Sequence, residues 1–187
     1  FAAIDAIVNS VAQHIAIRNG DTDPNQVRYN AYLAAHMPDS KGHGTKPFDW
    51  KNATWSLKYS GDGSFYIYNV NNEVYLGDPN SRGALTVTPI AAYTFAKYGE
   101  TANNLFELKC GNQTLHLQNT NGDGTVSAGW ALMNYSPDVA SSWYIETDFS
   151  AHVETYKTTA LTTLDSWKNL SVVFDGAPID AVKTAVN

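Results

Sequence analysis

The feature that most restricts the fold is an internal match at a fixed spacing. Residues 64–77 read SFYIYNVNNEVYLG, and residues 104–119 read NLFELKCGNQTLHLQN. Phe65 falls on Phe106, Ile67 on Leu108 and Leu76 on Leu117, each 41 residues apart with no gap. In both stretches two alternating apolar runs flank a short polar turn, which reads as a β-hairpin. The turns use Asn71 and Asn72 in one copy and Gly111 and Asn112 in the other. These residue types tolerate the left-handed backbone of tight turns. Self-similarity at a period near 40 residues marks a fold assembled from copies of one supersecondary unit.

A third copy is expected upstream. HIAIRN at 14–19 and AYLAA at 31–35 supply its two strands. Ile17 and Leu33 are 16 residues apart, where the equivalent positions in the other copies are nine apart. The excess lies in GDTDPNQVR, a polar loop insertion carrying Gly and Pro. Each copy then closes on a strand with two apolar residues two positions apart: Trp55 and Leu57, Tyr93 and Phe95, Trp143 and Ile145. That alternation is what a strand with one buried face requires. A further strand is expected between hairpin and closing strand, in ALTVTPI (84–90) and TVSAGWALM (125–133). The matching region of the first copy, HGTKPFDWK, is poorly patterned.

The reading is three units of four short strands, spanning 14–60, 61–102 and 103–149. An all-β body at 14–149 with pseudo-threefold symmetry follows. The competing arrangement is an ordinary sandwich in which two hairpins match by chance. Residues 1–13 carry Ile4, Ile7, Val8 and Val11 at helical spacing. Residues 150–187 form a second helical segment. Its first helix has the stripe Val153, Tyr156, Ala160, Leu164 and Trp167, and DGAP at 175–178 precedes a last short helix.

Three four-strand units that each close on an aromatic-x-apolar strand resemble a β-trefoil, and more narrowly the ricin-B-type lectin domains. The resemblance covers 14–149. That family's Gln-x-Trp signature is incomplete: the Trp stands at Trp55 and Trp143 and is Tyr93 in the middle unit, while the Gln positions hold Ala53, Ala91 and Ser141. The resemblance implies a non-catalytic carbohydrate-binding module of a larger secreted or cell-surface protein, with a glycan as partner. The start at Phe1 reads as a processed chain or an excised piece of something larger, and the flanking helices resemble connectors in a large multidomain surface protein of the type secreted by gut Bacteroidetes. The alternatives are a structural spacer or protein-interaction trefoil without a sugar site, and a fragment of a glycoside-active enzyme.

A sugar site needs an aromatic face to stack on the ring and short polar side chains for its hydroxyls. In ricin-type lectins these come from the first turn, the third strand and an Asn or Gln beyond it. Unit three offers Asn119, Asp123, Trp130 and Asn134. Unit one offers Asp23 with Trp50. For each tryptophan the competing role is core or edge packing. Unit two has no third-strand aromatic, so no site is expected there.

Other chemistries find less support. The 18 acidic and 12 basic side chains are scattered and give a net charge of −6, with no basic run for nucleic acid. No apolar run approaches the ~18 residues of a membrane span. The single Cys110 rules out an intramolecular disulfide and reads as a buried apolar thiol. Asp21, Asp23 and Asn25 have the oxygen spacing of a Ca²⁺ loop, but Gln26 and Tyr32 stand where an EF-hand needs Gly and Glu. The five histidines show no zinc-ligand spacing, and the two in HMPDSKGHG read as solvated loop residues. No metal, cofactor or catalytic residue is expected.

Overall fold

The computed structural model describes residues 14–99, 104–118 and 132–169. Those residues contain twelve strands, four per unit. Unit one holds β1 (Ala16–Asn19), β2 (Tyr32–His36), β3 (Lys41–Thr45) and β4 (Trp55–Gly61). Unit two holds β5 (Ser64–Asn69), β6 (Val74–Leu76), β7 (Leu85–Thr86) and β8 (Thr94–Lys97). Unit three holds β9 (Leu105–Cys110), β10 (Gln113–Leu117), β11 (Leu132–Asn134) and β12 (Ser142–Glu146).

The first and last strands of each unit close into a six-stranded barrel. Antiparallel ladders join β4 to β5, β8 to β9, β9 to β12 and β12 to β1. Two reciprocal backbone pairs complete the ring. Ile15 and Trp55 exchange N–H···O bonds of 2.7 and 2.9 Å, and Phe65 and Tyr93 exchange two of 2.8 Å. The middle strands form three hairpins, β2–β3, β6–β7 and β10–β11. This is the β-trefoil.

The three closing aromatics show why one position accepts two residue types. Trp55, Tyr93 and Trp143 are all fully buried. Each reaches back with its polar end to a carbonyl at the second strand of its own unit. Trp55 Nε1 donates to Leu33 O at 2.8 Å, Trp143 Nε1 to Leu115 O at 2.9 Å and Tyr93 Oη to Gly77 O at 2.6 Å. A buried donor must find an acceptor, and an indole N–H and a phenol O–H both meet that demand. Around them pack Ile15, Ile17, Leu33, Ile67, Leu76, Leu108, Leu115, Leu117 and Leu132. The three residues at the Gln position, Ala53, Ala91 and Ser141, are likewise buried.

The hairpins meet where only glycine fits. Gly42 N donates to Gly83 O at 2.8 Å. A Cβ on Gly42 would lie 2.5 Å from Leu132 Cδ1 and 2.7 Å from Leu76 Cδ1.

Several expectations change. The third strands are shorter and differently placed: β3 starts two residues before the segment read for it, and β7 is two residues long. β11 uses only the end of the segment read in unit three, whose earlier part lies outside the described residues. His36 and His43 are not loop residues. They end β2 and stand within β3, because the four-residue turn between them folds the segment into a hairpin. Cys110 is half-buried, and burial raises its thiol pKa, followed by the nearby charge of Asp78.

A second compact unit begins at Asp148. In it α1 (Ser150–Asn169) starts with Asp148 Oδ1 accepting from Ser150 N at 2.9 Å. Five threonines on α1 donate back to the carbonyl four residues earlier, which satisfies their hydroxyls without leaving the helix. Val153 and Tyr156, at the start of the predicted apolar stripe, are exposed. The predicted helices over 1–13 and after 178 lie outside the described residues.

Candidate functional site

Polar side chains at the first turns of units one and two each tie their unit to a neighbouring one. Buried Asn69 ends β5 and donates to Asn52 O at 2.8 Å, while its Oδ1 accepts from Asn72 N at 3.0 Å and Asn72 Nδ2 at 2.9 Å. Asn71 Nδ2 donates to Trp50 O at 2.8 Å. Asn19, at the same position of β1, does the equivalent work: it donates to Ala140 O at 2.9 Å and accepts from Asp21 N at 3.2 Å. Asn52 and Ala140 each stand three residues before a closing Trp. The amides of the NVNN turn therefore seal the seam between units.

The segment GDTDPN folds as successive turns in which each side-chain oxygen accepts the backbone N–H two residues on. Asp21 Oδ1 accepts from Asp23 N, and Asp23 Oδ1 from Asn25 N, both at 2.9 Å. Asp21 is buried and its other oxygen accepts from Arg28 Nε at 2.5 Å. Asp23 is exposed, and the Asn25 backbone N–H holds its carboxyl below the usual range.

Trp50 is half-buried, with its ring 5.2 Å from Phe48 in an edge-to-face pair, and Phe48 stands 5.0 Å from Tyr32. Asn134 is exposed at the end of β11, with its Oδ1 accepting from Thr114 N at 3.0 Å. Asn119, Asp123 and Trp130 lie outside the described residues. The structure thus places three of the six predicted site residues, on two different units.

A cleft of ≈150 Å³ opens in unit one, lined by His36, His43, Thr45, Asp49 and Asn52 and by small residues of the β2–β3 hairpin. Asp49 is committed to its own turn, accepting from Lys51 N at 2.9 Å and Asn52 Nδ2 at 2.8 Å. On the rim, His36 Nδ1 lies 2.8 Å and His43 Nε2 2.9 Å from the two oxygens of Asp39. Burial lowers the His43 pKa, although Asp39 pulls it upward. Burial would raise Asp39, but its bonds to the two imidazoles outweigh this and lower it. Sequence reasoning missed this cluster because the histidines are seven positions apart, and only the hairpin brings them together.

His116, Ser141 and Asp138 have the residue types of a nucleophilic triad without its geometry. Ser141 Oγ at 3.0 Å and Asp138 Oδ1 at 3.4 Å both face His116 Nδ1. A triad needs the acid on the opposite ring nitrogen from the nucleophile. Asp138 also accepts from Ala140 N at 2.8 Å and Ser141 N at 3.1 Å, and Ser141 is fully buried. The group caps the short helical turn before β12.

No family model matches the chain, and no curated protein matches it in sequence. Solved structures do match in fold. A ricin B-like lectin of Macrolepiota procera, solved with lactose, has a TM-score of 0.56 and 19% identity over 74% of this chain and 98% of its own. ThreeFoil, a designed threefold-symmetric protein, has a TM-score of 0.52 and 10% identity over 72% and 99%. An endo-β-galactosidase of Clostridium perfringens that releases GlcNAcα1-4Gal has a TM-score of 0.52 and 19% identity over 71% of this chain and 32% of its own. The trefoil of this chain is therefore shared with whole lectins and with about a third of a glycosidase.

Proposed function

We propose that this trefoil is a non-catalytic carbohydrate-binding module of a larger secreted or cell-surface protein. The observation that carries the reading is the cleft of unit one, a depression with polar and apolar lining on a fold that the lactose-bound lectin shares. Thr45 and Asn52 line it, and the aromatic cluster of Tyr32, Phe48 and Trp50 is built from the same segments. In this reading Trp50, between the cleft residues Asp49 and Asn52 in the chain, supplies an aromatic surface beside the cleft, and Asp23 an acceptor on the inserted loop of the same unit; neither lines the cleft itself. The second site of the proposal is the one expected in unit three from Asn119, Asp123, Trp130 and Asn134, of which Asn134 is among the described residues and is exposed.

One observation favours a spacer without a sugar site. In units one and two the first-turn side chains that a lectin would turn toward a ligand accept or donate within the chain. Titration with lactose and other galactosides, followed by a broad glycan array, separates the readings. A binding module gives saturable binding that Trp50→Ala or Trp130→Ala weakens at least tenfold, the loss of about 1.4 kcal/mol. No binding across the array sinks the lectin reading and leaves the spacer.

A further inference from the structure

The β2–β3 hairpin brings together side chains that a sugar site does not require. Register pairs Ala34 with His43 and His36 with Lys41, so both histidines project from one face of the hairpin, on diagonal positions. Their rings stack with centroids 4.3 Å apart and planes 10° apart. The turn between them returns Asp39 over the pair, and its carboxylate bridges His36 Nδ1 and His43 Nε2. One ligand atom from each of the three residues falls within 4.8 Å of the others.

We propose that His36, Asp39 and His43 form a binding site for a divalent cation of the zinc class. Two imidazole nitrogens and one carboxylate oxygen suit Zn²⁺ and its neighbours, whereas Ca²⁺ and Mg²⁺ select all-oxygen shells. Three protein ligands leave one position of a tetrahedral shell for water. Bonds of about 2.0–2.2 Å place tetrahedral donors about 3.4 Å apart. The nitrogen–oxygen separations of 2.8 and 2.9 Å bracket that spacing from below, and the 4.8 Å limit does so from above.

The two histidines take different parts. His43 stands in a strand with its side chain only 13% exposed, so it is the fixed ligand. An ion binds in the plane of an imidazole ring, and two parallel rings do not share one in-plane point. One ring must turn, and His36, 45% exposed at the strand end, has the room. Ion entry replaces the hydrogen bonds between Asp39 and the two rings with bonds to the metal, and each neutral imidazole then carries its one N–H on the ring nitrogen turned away from the ion.

The test uses the full chain, stripped of metal with a chelator and titrated with Zn²⁺ by calorimetry. One Zn²⁺ per chain is expected, with a rise in melting temperature. His36→Gln and Asp39→Asn change exposed side chains, and their metal-free urea midpoints report whether the fold persists. In each, the Zn²⁺ dissociation constant is expected to rise at least tenfold and the thermal shift to shrink. Absence of saturable Zn²⁺ binding by the unsubstituted chain overturns the site. Binding that survives unchanged in both variants also overturns it, because the ion then sits on other ligands.

Discussion

Replacing Tyr93 with Phe removes one oxygen and tests the logic of the closing positions. Tyr93 is fully buried and its hydroxyl donates to Gly77 O at 2.6 Å. Burial holds the phenol well above its usual pKa, so it stays a donor at every ordinary pH. The change leaves the ring in place, so no large cavity opens. What is lost is the hydrogen bond, worth about 0.5–1.5 kcal/mol net, and what remains is a buried carbonyl without that donor, a penalty of about 1–3 kcal/mol. The expected loss is about 2 kcal/mol, or roughly 4–8 °C in melting temperature at the 2–4 °C per kcal/mol of a chain this size. Urea denaturation followed by tryptophan fluorescence reads it as a lower midpoint at unchanged slope. Trp143→Phe loses the equivalent bond to Leu115 O but also volume, so its loss should be larger. If Tyr93→Phe proves as stable as the parent chain, the hydroxyl is not the stand-in for the indole N–H, and the account of the three positions fails.

Two further predictions rest on packing and on titration. Gly42→Ala drives a methyl group into Leu132 and Leu76 where the hairpins meet, and should cost about 1–3 kcal/mol in the same urea assay. Tyr32 has its pKa raised to about 12, first by burial and then by the neighbouring charge of Glu146. The folded state therefore holds this proton more tightly than the unfolded chain, so the contribution is full below pH 10 and is lost as pH rises from 10 toward 12. Tyr32→Phe should flatten the fall in stability over that window, read from urea midpoints at pH 9 and 11.

Part of this molecule was legible without coordinates. Phe65, Ile67 and Leu76 matched Phe106, Leu108 and Leu117, and the matched residues fall on equivalent strands. Trp55, Tyr93 and Trp143 were recognisable as core residues from one neighbour two positions on, since alternation is a property of a single strand. The third strands were harder. β7 and β11 have two and three residues, too few for a period to show. Asp23 and Asn134 were nominated for a ligand from residue type alone, and only the structure shows the backbone N–H that each also accepts.

What the chain by itself determined is the repeated unit and its inward face, because strand period, turn residues and spacing are encoded over a few consecutive residues. What the tertiary structure decided is the use of the polar groups. Asn69 reaches Asn52 from the next unit, Asn19 reaches Ala140 across the closure of the barrel, and His36 meets His43 because a hairpin register sets them on one face. A side-chain amide or imidazole reads the same in sequence whether it faces water, a carbonyl or a ligand. Only the pairing of strands distant in the chain sets which partner lies within about 3 Å of it.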